Sequence, residues 1–391
     1  MQENPEHLPT GRLEVLTALF ITGFGTFLNL YATQPLLPGF RQLFGTSEVM
    51  VSLTVTAPVL AVAIVAPMVG MLADAIGRKR IIVAAMLGLV IPTTLAGTSA
   101  DLGQLIFWRF LQGVFVPGII AVSIAYISEE SSVDSVGSTM SIFVTGTVIG
   151  GFSGRFIAGL ADTHYGWRPA FFLLGAITLV SAIITWRLLP RATKFKRQSI
   201  AGAAFMSVRA HLRNPQLLAT YAVGFNVLFC MVGAFTYVNF YLADKPFSLG
   251  TASLGSIFGV YLIGALVTPL AGRILDHIGH RRALLGAVGI SATGMLLTMV
   301  HYLPVVVAGL ALEATGVFAS QSASSTYVGK AACEGRSGAA GLYVASYYTG
   351  GCMGSILPGL FWKQAGWPGC VAIIICMQFL TALTAYKLWQ D

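Results

Sequence analysis

Long apolar runs alternate with short polar intervals along the whole chain. Cut at glycines, prolines and charge clusters, twelve runs fall near residues 13–38, 47–73, 81–99, 104–128, 137–161, 168–189, 215–242, 250–275, 283–301, 304–328, 338–362 and 368–386. Each is close to the roughly 20 residues that an α-helix needs to cross a hydrocarbon core. The pattern therefore predicts an all-α polytopic membrane protein with twelve transmembrane helices, numbered here as spans 1 to 12.

Two sequence repeats divide these spans into halves. The hairpin GMLADAIGRKR, residues 70–80 between spans 2 and 3, returns 202 residues later as GRILDHIGHRR between spans 8 and 9. Glycines of span 5 also recur in span 11 at an offset of 200; the pairs are Gly150 and Gly350, Gly151 and Gly351, Gly154 and Gly354, and Gly159 and Gly359. We expect two pseudo-symmetric six-helix bundles, residues 1–189 and 215–391, joined by a cytoplasmic linker, residues 190–214, that contains an amphipathic segment.

Composition and charge agree with a membrane location. Hydrophobic residues make up 55% of the chain and charged residues only 10%, whereas a soluble domain carries about 25% charged residues. If the N-terminus is cytoplasmic, seventeen of the 23 lysines and arginines fall in loops or at span ends on the cytoplasmic side, as the positive-inside rule requires. We expect a multi-pass protein of the cell (inner) membrane with both termini in the cytoplasm. The topology explains the net charge of +8, so no nucleic-acid partner is expected.

The repeated hairpin combines an acid with a basic cluster around a glycine. An acid at a helix end can pair with that cluster or with a neighbouring helix terminus, and such a contact can break and re-form. We interpret the following residues as a gate: Gly70, Asp74, Gly77, Arg78, Arg80, Asp276 and Arg282. Positive-inside anchoring is the alternative, but it explains neither the acid nor the glycine.

The glycines of span 5 lie on one stripe of the helix. Small residues at this spacing let another backbone approach closely. We expect close helix packing at Gly150, Gly151, Gly154, Gly159, Gly350 and Gly354. This stripe serves either as ordinary packing or as a seal that separates the two halves in one state.

Three ionisable residues, Arg109, Arg155 and Glu313, fall inside predicted spans, where insertion of a charge costs about 2.5–3.5 kcal/mol. Because burial disfavours the charged form of a carboxyl group, Glu313 is the leading candidate for proton coupling. A glutamate satisfied by hydroxyl groups of a neighbouring helix is the alternative. Arg109 is a second proton-coupling candidate, and its alternative role is a brace that donates to backbone carbonyls.

Further polar residues of the spans suit a wet, partly aromatic cavity for a small organic solute. The candidate substrate-binding residues are Asn29, Tyr31, Gln34, Gln112, Arg155, Asn226, Tyr237, Asn239, Gln321 and Tyr347. Each could instead form an interhelical hydrogen bond. We expect no cofactor and no metal, because the histidines lack metal-ligand spacing and no phosphate-binding loop or hydrolase motif occurs. The expected partners are a small organic substrate, protons and the lipid bilayer, with the protein a monomer and not an enzyme.

Two motifs carry a resemblance to a known family. The hairpin at residues 70–80 and the stretch Trp108-Arg109-Phe-Leu-Gln112-Gly113 resemble signatures of the major facilitator superfamily. The glycine-rich span 5 is similar to the glycine motif of its proton-coupled antiporters, without their proline. Within that family the chain resembles twelve-span efflux permeases of the drug:proton antiporter type, the branch that includes YnfM and AraJ.

The resemblance implies the fold of that family, with Arg109 involved in proton transfer and spans 4 and 10 lining a central cavity. It implies proton-coupled export of small organic solutes, such as drugs or sugars, by alternating access. Proton-coupled uptake by a symporter, or a uniporter, is the alternative function.

Overall fold

The computed structural model of the chain describes residues 10–132, 135–192, 211–264, 266, 277–332 and 336–389; the side chains of residues 10, 70–75, 336 and 337 also lie outside the description. All regular secondary structure in these ranges is helical. The linker with its amphipathic segment, predicted at residues 190–214, lies mostly outside the described residues.

The helices of the first half correspond to spans 1 to 6: Thr10–Leu30, Glu48–Ile76, Arg78–Ala96, Leu102–Glu130, Val136–Tyr165 and Trp167–Leu188. A 3-10 turn, Gln34–Leu36, and a short helix, Leu37–Leu43, connect spans 1 and 2. In the second half, span 7 is Pro215–Ala243, span 8 begins with Thr251–Ile257, span 9 is His280–Leu297 and span 10 is Leu303–Ala331. Spans 11 and 12 follow one another directly in the helical segment Arg336–Leu388, which is kinked at Gly366.

In the described part of the chain, nine helices are long and apolar enough to cross a membrane. One of them, Gly338–Leu388, contains both span 11 and span 12. Gly366 adopts φ 62° and breaks the helical geometry between these two spans. Span 9 is shorter, at 18 residues, and span 8 is described from Thr251 to Gly264. The prediction of an all-α polytopic membrane fold is confirmed.

Spans alternate in direction, so each end of the bundle collects alternate loops. We call the end with the connection between spans 1 and 2 the Arg41 end, and the end with the hairpin between spans 2 and 3 the Arg78 end. At the hairpin, Gly77 adopts φ 104°, and Gly279 of the second copy adopts φ 85°. Both values lie in the region that favours glycine, so the repeated glycine produces the same turn twice.

Glycines of span 5 hold span 1 close in the first half. A Cβ atom on Gly150 would overlap the carbonyl oxygen of Phe24, and one on Gly154 would overlap that of Leu28. The backbones of spans 1 and 5 therefore approach more closely than a larger residue allows.

The second half repeats this contact. A Cβ atom on Gly350 would overlap the carbonyl oxygen of Phe225, and one on Gly354 would overlap that of Phe229, so span 11 packs on span 7 in the same way. The 200-residue offset between the glycines thus corresponds to a repeated helix contact.

Replacement of Gly154 by alanine tests this packing. We expect Gly154→Ala to destabilise the fold by about 1–3 kcal/mol, because the added methyl group must push the backbones of spans 1 and 5 apart. Thermal unfolding of the purified protein in detergent measures the change. Gly137→Ala on the same helix is the control, since a Cβ atom there meets nothing within 4 Å and alanine favours the helix. Equal stability of the two variants would contradict the packing role.

Candidate functional site

An ion-pair network joins the two halves at the Arg41 end. Arg41 donates from Nη2 to Asp244 Oδ1 at 2.9 Å and from Nη1 to Glu48 Oε1 at 2.9 Å. Its guanidinium also lies 5.7 Å from the ring centroid of Phe240. Asp244 and Phe240 belong to the second half, so Arg41 spans the boundary.

Two buried hydrogen bonds lie next to this network. The hydroxyl groups of Thr56, in span 2, and Ser355, in span 11, are 2.6 Å apart. The side-chain amide of Gln34 donates to Thr236 Oγ1, in span 7, at 3.1 Å. Both pairs join the first half to the second.

Close backbone packing adds a third contact between the halves. A Cβ atom on Gly159 would overlap the carbonyl oxygen of Thr251, and one on Gly359 would lie 2.5 Å from Val49 Cγ2. The hydroxyl groups of Thr163 and Thr251 are 3.0 Å apart. Between pairs of described residues, all hydrogen bonds and ion pairs that join the halves lie in the Arg41-end part of the bundle.

Arg155 is the buried cation of this boundary. It extends from span 5, is 2% exposed, and its guanidinium carbon lies 4.9 Å from the ring centroid of Tyr31, 4.6 Å from that of Phe258 and 5.0 Å from that of Tyr261. Nε donates to Gln34 Oε1 at 2.7 Å. Because Phe258 and Tyr261 belong to span 8, the guanidinium is enclosed by rings from both halves.

Tyrosines of span 11 extend this group. The rings of Tyr343 and Tyr347 stack with centroids 6.0 Å apart, and those of Tyr347 and Tyr348 meet edge to face at 5.6 Å. Tyr347 also lies near Tyr31 and Tyr261, close enough that their ionised forms would repel one another. Of the ten predicted substrate-binding residues, Tyr31, Gln34, Arg155 and Tyr347 are therefore brought together at the boundary.

Arg109 lies inside the first bundle, fully buried. Its guanidinium donates to the carbonyl oxygens of Thr54 at 2.8 Å, Asn29 at 2.7 Å and Leu30 at 2.5 Å, and to Gln112 Oε1. Gln112 in turn donates to Thr93 Oγ1 at 2.9 Å. Arg109 thus connects span 4 to spans 1 and 2 in the geometry of a brace.

Glu313 lies inside the second bundle and is also fully buried. Its Oε2 accepts hydrogen bonds from Ser291 Oγ, in span 9, and from Gln378 Nε2, in span 12, at 3.0 Å. Glu313 Oε1 and Gln378 Oε1 have no hydrogen-bond partner among the described residues. A cavity of about 10 Å³, lined in part by Asn226, Ser291 and Gln378, lies beside the group.

The expectation that spans 4 and 10 place Arg109 and Glu313 in a central cavity is not met in this conformation. Neither side chain has exposed surface, because each is enclosed by helices of its own bundle. The partners of Glu313, a serine hydroxyl and a glutamine amide on neighbouring helices, correspond closely to the alternative stated for it.

The other predicted substrate-binding residues are in interhelical or local contacts. Asn29 donates to Thr178 Oγ1 at 2.8 Å within the first bundle. Tyr237 donates to the Ser355 carbonyl oxygen at 2.9 Å, and Asn239 donates to carbonyl oxygens of its own helix. Gln321 is half-buried in span 10.

The gate predicted at the repeated hairpin is described in part. Arg78 donates from Nη2 to Glu129 Oε1, at the Arg78 end of span 4, at 2.6 Å. Arg80 and Arg282 are exposed. The side chain of Asp74 and all of Asp276 lie outside the described part of the chain, and Gly70 is described only by its helical backbone. The gate therefore stays a prediction.

Several contributing residues were not identified from the sequence. Phe258 and Tyr261 of span 8 resemble ordinary apolar positions, and only the fold places them over Arg155. Ser291 and Gln378 become partners of Glu313 through the packing of three helices. Asp244 could have been identified. It is an acid directly after span 7, and Arg41 is a cation at the corresponding place after span 1, so the sequence offered a signal for this ion pair.

Comparison with known proteins gives consistent relatives. The model of the Major Facilitator Superfamily matches residues 19–267 and 245–391. The inner membrane transport protein YnfM of Escherichia coli (strain K12) is 33% identical over 379 residues, covering 96% of this chain and 90% of YnfM. The uncharacterized MFS-type transporter YybF of Bacillus subtilis (strain 168) is 31% identical over 365 residues, covering 93% of this chain and 90% of YybF. Among solved structures, the nucleoside transporter NupG (D323A mutant) has a TM-score of 0.80 at 13% identity, covering 96% of this chain and all of that chain.

The fold and the relatives define a multi-pass membrane protein that carries small molecules. This chain belongs to the major facilitator superfamily and is a secondary transporter. The family predicted from the two motifs is confirmed.

Disulfide cross-linking tests the contact between the halves. In a background with the native cysteines replaced by alanine, we expect Thr56→Cys with Ser355→Cys to form a disulfide readily, because the native hydroxyl groups are 2.6 Å apart and a disulfide requires neighbouring Cβ atoms at about 3.5–4.5 Å. The yield is measured by protection from a maleimide of high mass. The control pair is Thr56→Cys with Ser346→Cys. Ser346 also lies on span 11, but its hydroxyl group donates to the Tyr221 carbonyl oxygen, at 2.9 Å, and not to Thr56. An equal disulfide yield for both pairs would contradict the described contact.

Proposed function

We propose that this transporter exports small organic solutes in exchange for protons by alternating access, with Glu313 as the group that binds the proton. The proposed cycle moves the two bundles between a state closed at the Arg41 end and a state closed at the Arg78 end. The resemblance of span 5 to antiporter sequences supports export, and the environment of Glu313 supports the proton.

The positive-inside bias supports an orientation with the Arg78 end in the cytoplasm. In that orientation, the contacts around Arg41, Thr56 and Gln34 close the outer side. The state described here then corresponds to the part of the cycle in which solute enters from the cytoplasm.

The observation that carries the proposal is the incomplete hydrogen bonding of Glu313. A carboxylate enclosed in protein at membrane depth is costly unless a cation or several donors compensate it. Glu313 receives two donors on Oε2, and no ion pair compensates it within the described chain. A proton on the free oxygen removes the charge and supplies the missing donor.

The surroundings of Glu313 restrict how that proton is held. Gln378 Oε1 is a second acceptor that no described residue donates to, so this part of the cluster has more acceptors than donors. Among the described residues, the titratable groups Cys230 and Tyr261 lie near the carboxyl group, and neither carries a positive charge. The adjacent cavity is at the lower size limit for one water molecule, which can relay a proton when the bundle opens.

Arg109 has a positioning role in this proposal. Three of its four hydrogen bonds fix the ends of spans 1 and 2 relative to span 4, so the first bundle moves as a unit. The charge is fully used within the bundle and is not available to a solute.

Replacement of Glu313 by glutamine tests the proton site. Glutamine keeps the size and one carbonyl acceptor but binds no proton, so we expect Glu313→Gln to lose solute flux driven by a pH gradient while keeping solute exchange without a gradient. Flux is measured in proteoliposomes with a panel of a lipophilic cation, a pentose and an aryl anion. A pH-sensitive dye in the vesicles follows the protons.

Glu14→Gln is the matched control, because Glu14 is an exposed acid at the start of span 1. It should retain the gradient response of the wild type. If Glu313→Gln keeps gradient-driven flux and proton movement, Glu313 is not the coupling group. If solute flux through the wild type does not depend on the pH gradient, the protein is a uniporter and the proposal of proton exchange is wrong.

A further inference from the structure

We infer that the substrates of this transporter are organic anions with an aromatic or otherwise flat apolar body, and that Arg155 binds their acidic group. This inference rests on the proposed transport function and adds the substrate class to it. It starts from a comparison of the two buried arginines.

Arg109 and Arg155 satisfy their charges differently. Arginine carries five N–H donors, and Arg109 uses its three nitrogens for four hydrogen bonds. Arg155 forms two, from Nε to Gln34 Oε1 and from Nη1 to the Gly151 carbonyl oxygen. Its Nη2 has no hydrogen-bond partner, and no carboxylate forms an ion pair with it, within the described ranges. Arg155 therefore keeps unused donors at the boundary between the halves.

Ring faces enclose the remaining sides of the guanidinium. The centroids of Tyr31, Phe258 and Tyr261 lie 4.6–5.0 Å from its central carbon. Cation–π contacts stabilise the charge in part but accept no directed hydrogen bond. They also fix the orientation of the guanidinium plane, so that the N–H groups along its edge can donate to an oxyanion without further rearrangement.

Nearby hydroxyl groups increase the excess of donors. The hydroxyl groups of Tyr31, Tyr261, Tyr347 and Tyr348 form no hydrogen bond with any described residue, and Tyr31 and Tyr347 each lie near the other three tyrosines of this set. Four phenol groups thus cluster near the arginine edge, without an acidic acceptor among their described neighbours. An anionic group with two or three oxygens is the chemistry that this cluster lacks.

The same surroundings exclude other solute classes. A cationic solute would be repelled by Arg155, which pairs with no acid among the residues that the structure describes. A small inorganic anion would leave the aromatic walls without a partner, whereas an aryl carboxylate or sulfonate places its acidic group on the guanidinium and its ring on the tyrosines.

Equilibrium binding with a matched pair of probes tests this. Purified full-length protein in detergent at neutral pH is titrated by calorimetry with 1-naphthalenesulfonate, which is permanently charged, and with the neutral 1-naphthalenesulfonamide. Each probe is measured on the wild type and on Arg155→Gln, Arg155→Lys and Arg168→Gln. Arg168 is the control because it is an exposed arginine on the next span that stacks on Trp167 away from the cluster.

We expect the wild type and Arg168→Gln to bind the sulfonate about tenfold or more tightly than the sulfonamide, as a charge-assisted hydrogen bond implies. Arg155→Gln should lose that preference with little change for the sulfonamide, and Arg155→Lys should keep a part of it. Thermal unfolding shows whether each variant is folded. If Arg155→Gln does not fold, the comparison of the sulfonate preference between the wild type and Arg155→Lys tests the inference. Equal affinities in the wild type, no binding of either probe, or an unchanged preference without Arg155 would overturn the inference.

The outcome is independent of proton coupling. Binding in detergent involves no gradient, so an anion preference that depends on Arg155 stands even if Glu313→Gln shows that Glu313 does not bind the proton. Conversely, loss of the preference leaves a gradient-driven flux of another solute untouched.

Discussion

A charge buried at membrane depth must be compensated by the protein itself, and this constraint organises the structure. Three ionisable side chains of the spans are compensated in three ways. Carbonyl oxygens and an amide surround Arg109, and ring faces from both halves surround Arg155. Glu313 receives hydrogen bonds from described residues on one of its two oxygens only. The fully compensated group, Arg109, holds its bundle together, whereas the incompletely compensated groups, Arg155 and Glu313, can still bind an anion or a proton.

Tyr261 connects the two incompletely compensated groups. Its ring stacks on the guanidinium of Arg155, and it also meets the ring of Phe318, on the same span as Glu313, edge to face at 5.8 Å. Span 8 therefore lies between the boundary of the halves and the interior of the second bundle. In the proposed cycle, an anion bound at Arg155 acts on Tyr261, and a proton at Glu313 acts on span 10, against which Tyr261 packs. Each event therefore has a means of influencing the other.

The apolar runs and the repeats predicted the helical fold, because hydrocarbon requires long apolar helices and a duplicated bundle repeats its contacts. The offset between Gly154 and Gly354 even corresponds to matched contacts with Leu28 and Phe229. The site was only partly predictable. Because a charge in hydrocarbon is costly, Arg109, Arg155 and Glu313 can be identified as candidates from the sequence. Which neighbours they contact depends on how the helices pack, and the sequence does not show this. Gln378 and Phe258 gave no such signal, since glutamine and phenylalanine are common in spans.

The central claim, that the proton on Glu313 shifts the balance between two arrangements of the halves, is tested most directly by distances in the full-length protein. Spin labels at positions 47 and 245 report on the Arg41 end, and labels at positions 138 and 326 report on the Arg78 end; all four positions are exposed. Double electron–electron resonance at acidic and alkaline pH then gives both distances. The account predicts that the two distances change in opposite directions with pH in the wild type, and that Glu313→Gln stays in the acidic distribution at every pH. Fixed distances, or an unchanged pH response in Glu313→Gln, would contradict it.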